Sequence, residues 1–405
     1  MANPLIEHLP APVQAAVRLA LGRLSPEQRR DLERWLPGMG GNITGVKDVL
    51  RFITDNYRAA LDRGGTAIAI VGPANVGKST LYNQLITSSE ARAAVSPVPG
   101  TTRANQAGSG GIFTVIDTPG ADAVGPVGDR ERDLAFLAAQ GADFLIILFD
   151  AGSGVSRGDR ELFDALVALD KPYVAVLNKM DLVRKSDRVR VIESAAANLG
   201  IDASQLIDIV ATKGDHVGHV VLAVAQADPR LLIALADALP AYRAKLAWQR
   251  IIGAATASAS VALIPLPMAD VLPLLGVQTG LVLTIARIYG YDITPARARE
   301  LIATFGVAFA ARAVQRQLSK LLGAPGWVLS AAVATSATVG MGYAAMMWFE
   351  RGEKPTQAAL QKIMQEVGQY LRDQLSREGK AKPSLRTLRA RVRAALEGLP
   401  ERFRP

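Results

Sequence analysis

The residues Gly72-Pro73-Ala74-Asn75-Val76-Gly77-Lys78-Ser79-Thr80 follow an apolar run, Ala67 to Val71, and precede a helix-compatible stretch, Leu81 to Ile86. No other feature limits the fold so tightly. Glycines at 72 and 77 let the backbone curl, so that N–H groups from Gly72 through Val76 to Thr80 face inward, and the helix that follows adds its positive end. A loop of this kind takes an anion with several phosphate oxygens. Lys78 is placed to reach the β- and γ-phosphates, and the Ser79 hydroxyl to coordinate Mg²⁺. The same pattern sets the architecture: a mostly parallel sheet with helices on both faces.

Three later segments narrow the ligand. Asp117-Thr118-Pro119-Gly120 ends the strand-like run Ile112 to Ile116. A carboxylate there can hold Mg²⁺ through water, and the Gly120 amide can contact a γ-phosphate; the alternative is a simple turn. Asn178-Lys179-Met180-Asp181 ends a second buried run, Tyr173 to Leu177. Guanine offers N1–H and an exocyclic amine side by side, so Asp181 can accept both, whereas adenine would leave the charge unpaired. GTP is therefore expected over ATP. Asn178 is expected to tie this loop to the phosphate loop, and the Lys179 stem to lie over the base. Ala211-Thr212-Lys213-Gly214, after Leu206 to Val210, is expected to close over the base through backbone N–H groups.

The set G-x-x-x-x-G-K-S, P-G-T-T-R, D-T-P-G and N-K-M-D, spread from about Gly65 to Leu239, resembles GTPases of the Era, TrmE and EngA type, members of the TRAFAC class. The resemblance implies that Pro99-Gly100-Thr101-Thr102-Arg103 is the first switch, with Thr102, or secondly Thr101, closing on Mg²⁺ and the γ-phosphate. It implies that Asn75 helps bind K⁺, which would neutralise charge on the leaving oxygens. It gives Lys78, Thr102, Asp117 and Gly120 catalytic parts, and Mg²⁺ the ligands Ser79, Thr102 and Asp117. Ala121 stands where Ras-like enzymes carry a water-orienting glutamine, and a methyl group cannot orient water. Slow intrinsic hydrolysis follows, accelerated by a cation, a second copy of the chain or a partner. Family habit also implies a homodimer. The last motif departs, reading A-T-K rather than S-A-K, and Ala104 to Gly111 is too short and glycine-rich for the usual full strand.

The 405 residues suffice for more than one domain, and the absence of cysteine excludes disulfide frameworks and thiolate metal sites. The opening residues, Met1 to His8, lack a secretory pattern, so the cytoplasm is expected. His216 and His219 are expected at the surface rather than on a metal.

We expect four segments: an N-terminal helical extension (1–64), with a helix start at Ser25-Pro26-Glu27-Gln28; the GTPase-like domain (65–240); an all-α hydrophobic domain (241–352); and a basic helical tail (353–405). Asp270 is the only charge from Ile251 to Ala286, and Gly326 to Phe349 has none, with Trp327 and Trp348 at its ends. Such runs are long enough to span a bilayer. Their small residues, Ala254 to Ser260 and Ala331 to Thr338, are only marginally apolar and let helices approach closely, in a membrane or in a soluble bundle. Leu301 to Leu322, with Arg312, Arg316 and Lys320 on one face, reads as amphipathic. From Arg351 onward thirteen Lys/Arg face six Asp/Glu, a net +7 of the chain's +9, and positive-inside bias opposes exporting that tail.

The C-terminal half also resembles hydrophobic helical domains of unknown function found beside Era-like GTPases and in YcjF-like membrane proteins. The expectation is a bundle that binds or partly inserts into the cytoplasmic face of an inner membrane, with anionic lipid under the arginines at 386, 389, 391 and 393. A soluble RNA- or ribosome-associated GTPase is the alternative. A GTPase-gated transport or pore module, needing true spans, is the third.

Overall fold

The computed structural model describes residues 67–86, 111–116, 136–262, 271–291, 326–352, 356–377 and 383–400. The N-terminal extension, Thr102, Asp117, Gly120, Ala121, Asp270 and the stretch 301–322 lie outside the described residues. The chain divides into two compact units, with the boundary between Tyr242 and Arg243.

The first unit is built on five parallel strands in the order β2-β1-β3-β4-β5: β1 Ile68–Val71, β2 Phe113–Val115, β3 Phe144–Asp150, β4 Tyr173–Asn178 and β5 Leu206–Asp208. Parallel strands covered on both faces read as unbroken apolar runs, and β3, Phe-Leu-Ile-Ile-Leu-Phe-Asp, is buried along all but its last residue. Between them run α1 Lys78–Leu85, α2 Arg157–Val167 and α3 Arg188–Leu199, and after β5 come α4 Val217–Ala227 and α5 Leu231–Ala238. Local chemistry sets the α2 start: Ser156 Oγ accepts the Asp159 N–H while the Asp159 carboxylate accepts the Ser156 N–H, a reciprocal cap.

The order of strands decides where a ligand can bind. After β1 the chain crosses to β2 on one side, then returns to β3 on the other. The reversal leaves a crevice at the carboxyl ends of β1 and β3, where open parallel sheets take their ligands. The phosphate loop leaves β1 there. Asp150 and Asn178, the last residues of β3 and β4, are paired neighbours in the register on the same edge.

The second unit contains α6 Arg243–Val261, α7 Val271–Ile288, α8 Gly326–Arg351, α9 Gln357–Ser376 and α10 Leu385–Glu397. The small residues bring its helices close. A Cβ built on Gly342 of α8 would meet Ile251 Cγ1 of α6 at 2.5 Å and Leu281 Cδ2 of α7 at 3.0 Å, so only glycine fits where α8 crosses both. One buried polar chain crosses the same three helices. Thr338 Oγ1 donates to Ser258 Oγ at 2.8 Å and accepts from Gln278 Nε2 at 3.2 Å. The half-buried Arg250 on α6 has its pKa pushed down by desolvation to about 10, which keeps it cationic at neutral pH.

The region expected as a separate basic tail supplies two helices of this unit. α9 packs on α8 and α10 on α6. Leu388, Val392 and Leu396, the apolar stripe of α10, are fully buried. Of its arginines, Arg389 Nε donates to Ser260 Oγ at 3.1 Å and Arg393 pairs with Glu397 at 2.9 Å, while Arg386 is exposed. Among the described residues only α8 is long and apolar enough to cross a membrane, and 78% of its most apolar window is buried inside the structure.

Candidate nucleotide site

The phosphate loop is held by its neighbours rather than by its own bonds alone. Gly77 has φ +95, a left-handed backbone, and a Cβ there would strike the Asn178 side-chain amide. Asn75 is also left-handed, at φ +63, which asparagine tolerates, and it is exposed. Val76 is buried, and Ser79 and Thr80 form the half-buried first turn of α1. The Lys78 ammonium lies within the loop, donating to the Gly72 carbonyl at 2.8 Å and the Pro73 carbonyl at 2.6 Å. A buried ammonium facing inward-curled backbone is the arrangement that receives phosphate oxygens.

Asn178 links three loops. It is 2% exposed; its Nδ2 donates to the Val76 carbonyl at 2.8 Å, and its Oδ1 accepts the Ala211 N–H at 3.0 Å. The Asn178 carbonyl meanwhile accepts the Ala151 N–H at 2.8 Å. The tie to the phosphate loop was expected from the sequence; the tie to Ala211 was not. It commits the Ala211 N–H to a structural bond and leaves Thr212 as the next residue of that loop. Thr212 and Lys213 are exposed, and the Lys213 N–H turns back to the Val210 carbonyl.

Lys179 takes a left-handed backbone, φ +64, and starts the short turn Met180–Leu182. Met180 is buried and its N–H reaches the Ile209 carbonyl of the fifth strand's exit, which leaves Asp181 exposed beside it. The Lys179 ammonium sits 2.7 Å from Asp150 Oδ2. Nothing in the motif spacing pointed to Asp150, 29 residues upstream; its place as the only acid in β3 was the available signal.

His216 caps α4 in a left-handed conformation, with Nδ1 3.1 Å from the Asp208 carbonyl and 3.2 Å from its carboxylate, and stacks on His219. No group of three metal-ligating side chains occurs among the described residues.

A glycine-curled anion loop between β1 and α1, at a parallel sheet's crossover and joined by a buried asparagine to a second loop ending in an exposed aspartate, defines a P-loop nucleotide-binding protein. Residues 67–179 match the family described as 50S ribosome-binding GTPase, and residues 230–374 match a domain of unknown function (DUF697). The chain thus carries a TRAFAC-class GTPase domain of the Era, Der and MnmE type followed by a DUF697 domain.

It is 37% identical over 160 residues to GTPase Der of Rhodopseudomonas palustris (strain TIE-1), covering 38% of this chain and 33% of that protein. It is 32% identical over 237 residues to the tRNA modification GTPase MnmE of Synechococcus sp. (strain CC9311), covering 53% and 50%. The chain spans about a third to a half of the length of these curated relatives. Among solved structures, Aquifex aeolicus Era bound to GDP and aluminium fluoride aligns at 22% identity with a TM-score of 0.33, covering 46% of this chain and 67% of that one.

Proposed function

We propose that the protein is a GTP-binding, GTP-hydrolysing switch. The observation that carries this reading is the Asn178 bridge. One buried amide fixes the phosphate loop and the base-recognising loop at a single spacing, so that a ligand must present a polyphosphate and a base together. Asp181, exposed at the end of that loop, accepts the paired donors of guanine. Lys78 holds the β- and γ-phosphates, and the N–H groups of the loop and the first turn of α1 neutralise the rest.

The oxygen donor set fits a hard divalent cation. Ser79 stands at the first turn of α1; with Thr102 and Asp117, which lie outside the described residues, it would hold Mg²⁺, and the ion would neutralise charge on the phosphates when bound. Asn75 is the residue for K⁺. With Ala121 in place of a water-orienting side chain, turnover without a partner is slow.

We further propose that the nucleotide state acts on the DUF697 unit at the cytoplasmic face of a membrane. The apolar length of α8 supports a membrane role. The α10 packing favours contact through exposed arginine such as Arg386 over insertion of that helix, since its apolar stripe is already buried. The match to a family described as ribosome-binding favours a second reading as a ribosome-associated factor.

Two measurements test these readings. Fluorescent N-methylanthraniloyl (mant) GDP is expected to bind in Mg²⁺ and to be displaced by GTP but not by ATP; equal displacement would sink guanine specificity. Fractionation with high-salt and carbonate washes is expected to release the protein from membranes with salt. Recovery wholly in the soluble fraction, and with ribosomes, would replace the membrane reading with the second one.

A further inference from the structure

Asp150 lies outside every motif of the nucleotide site, yet its carboxylate is fully engaged at the edge of that site. Oδ1 accepts the Gly152 N–H at 2.8 Å, which aligns the carboxylate within its own loop. Oδ2 then accepts from the Lys179 ammonium at 2.7 Å, with the Asp150 side chain 16% exposed and that of Lys179 32%. The loop is anchored a second time, because the Ala151 N–H donates to the Asn178 carbonyl. Asp150 therefore sits across the β3–β4 ladder from Asn178 and grips the residue that follows it.

We infer that Asp150 is a positioning residue for base recognition: its charge holds the Lys179 side chain extended along the base site, in place before a guanine nucleotide arrives. This rests on the guanine-nucleotide reading given above. A free lysine side chain samples many rotamers and loses that freedom when a base packs on its stem. Lys179 is fixed at both ends, by its left-handed backbone and by the Asp150 carboxylate, so this entropy is lost on folding rather than on binding. The effect falls on nucleotide affinity. Among the described residues Asp150 touches no phosphate-binding group, so the hydrolytic step at saturating GTP is expected to be left alone.

Asp150→Asn is the discriminating variant, because the side-chain oxygen still accepts the Gly152 N–H while the charge that holds Lys179 is gone. In the full-length chain, titrated with mant-GDP in Mg²⁺, we expect the Asp150→Asn Kd to rise roughly fivefold, as for a partly exposed ion pair that also pre-orders a side chain. KM for GTP should follow, with kcat within about twofold of the parent. Lys179→Met should weaken binding at least as much, and adding Asp150→Asn to it should change nothing further, since the carboxylate acts only through Lys179. Unchanged affinity in Asp150→Asn overturns the inference. So does a loss that adds in full to that of Lys179→Met, or a drop in kcat with KM unmoved, because each means that Asp150 does not act through Lys179 on base binding. A parent chain that does not bind mant-GDP overturns the guanine-nucleotide reading itself, which the same titration shows before any variant is compared.

Discussion

At the residue scale the site depends on one buried amide that joins two loops. Asn178 Nδ2 donates to the Val76 carbonyl and its Oδ1 accepts the Ala211 N–H, both across buried contacts. Asn178→Ala orphans both partners, at about 1–3 kcal/mol for each group left unpaired. The expected result is a lower urea midpoint for the first unit and a mant-GDP Kd raised more than tenfold. Binding and midpoint both equal to the parent's would mean that the bridge does not organise the site. Its first half could be read from the chain, because an asparagine at the end of a buried strand before a lysine and two positions later an acid belongs to a recognisable pattern. The bond to Ala211 could not, since it joins residues 33 apart whose approach depends on β5 taking the place next to β4. The Lys179–Asp150 pair is of the same kind.

At the element scale the helical unit shows a polar contact inside an apolar packing surface. Ser258 on α6, Gln278 on α7 and Thr338 on α8 share one hydrogen-bonded chain, and the Thr338 hydroxyl also lies 2.9 Å from the Ala334 carbonyl of its own helix. Thr338→Val removes the centre and strands a buried hydroxyl and a buried amide, at a cost of about 1–3 kcal/mol. Replacing all three, with Ser258→Ala and Gln278→Leu added, is expected to cost clearly less than the sum of the single changes, because no orphaned group remains. Urea unfolding followed by tryptophan fluorescence reads this directly, since Trp248, Trp327 and Trp348 lie on α6 and α8. Fully additive losses would show that the three residues do not act as a network. The apolar runs and their small residues were visible in the sequence. That the basic C-terminal helix buries its apolar stripe within the same unit was not, because an amphipathic pattern states that a face will be covered and not by what.

At the scale of the whole molecule, two compact units share one chain, and the proposed switch requires that one respond to the other's ligand. No tryptophan falls between residues 62 and 242, so tryptophan fluorescence, excited selectively over tyrosine, reports only on the rest of the chain. Mg²⁺ and GDP at a hundredfold excess over Kd should stabilise the nucleotide-binding unit by about 2.7 kcal/mol, seen as a raised mid-temperature in calorimetry. If nucleotide state is coupled to the helices, exchanging GDP for a non-hydrolysable GTP analogue should also move the tryptophan-reported transition, by an amount corresponding to about 1–3 kcal/mol. A tryptophan transition identical in both nucleotides would remove the coupling while leaving nucleotide binding intact.

The sequence by itself determined the phosphate loop, the strand runs that flank it, the guanine-type loop after β4 and the apolar character of the C-terminal helices. Each is a local property: turn-forming glycines, unbroken apolar runs, and side chains within a few residues of one another. The tertiary structure decided what those local pieces meet. Placing β1 between β2 and β3 opens the crevice, setting Asp150 beside Asn178 fixes Lys179, and the close crossing at Gly342 brings Thr338 to Ser258 and Gln278. The Lys179–Asp150 and Thr338–Ser258 bonds join residues 29 and 80 positions apart, and packing and sheet order rather than local propensity bring such residues together.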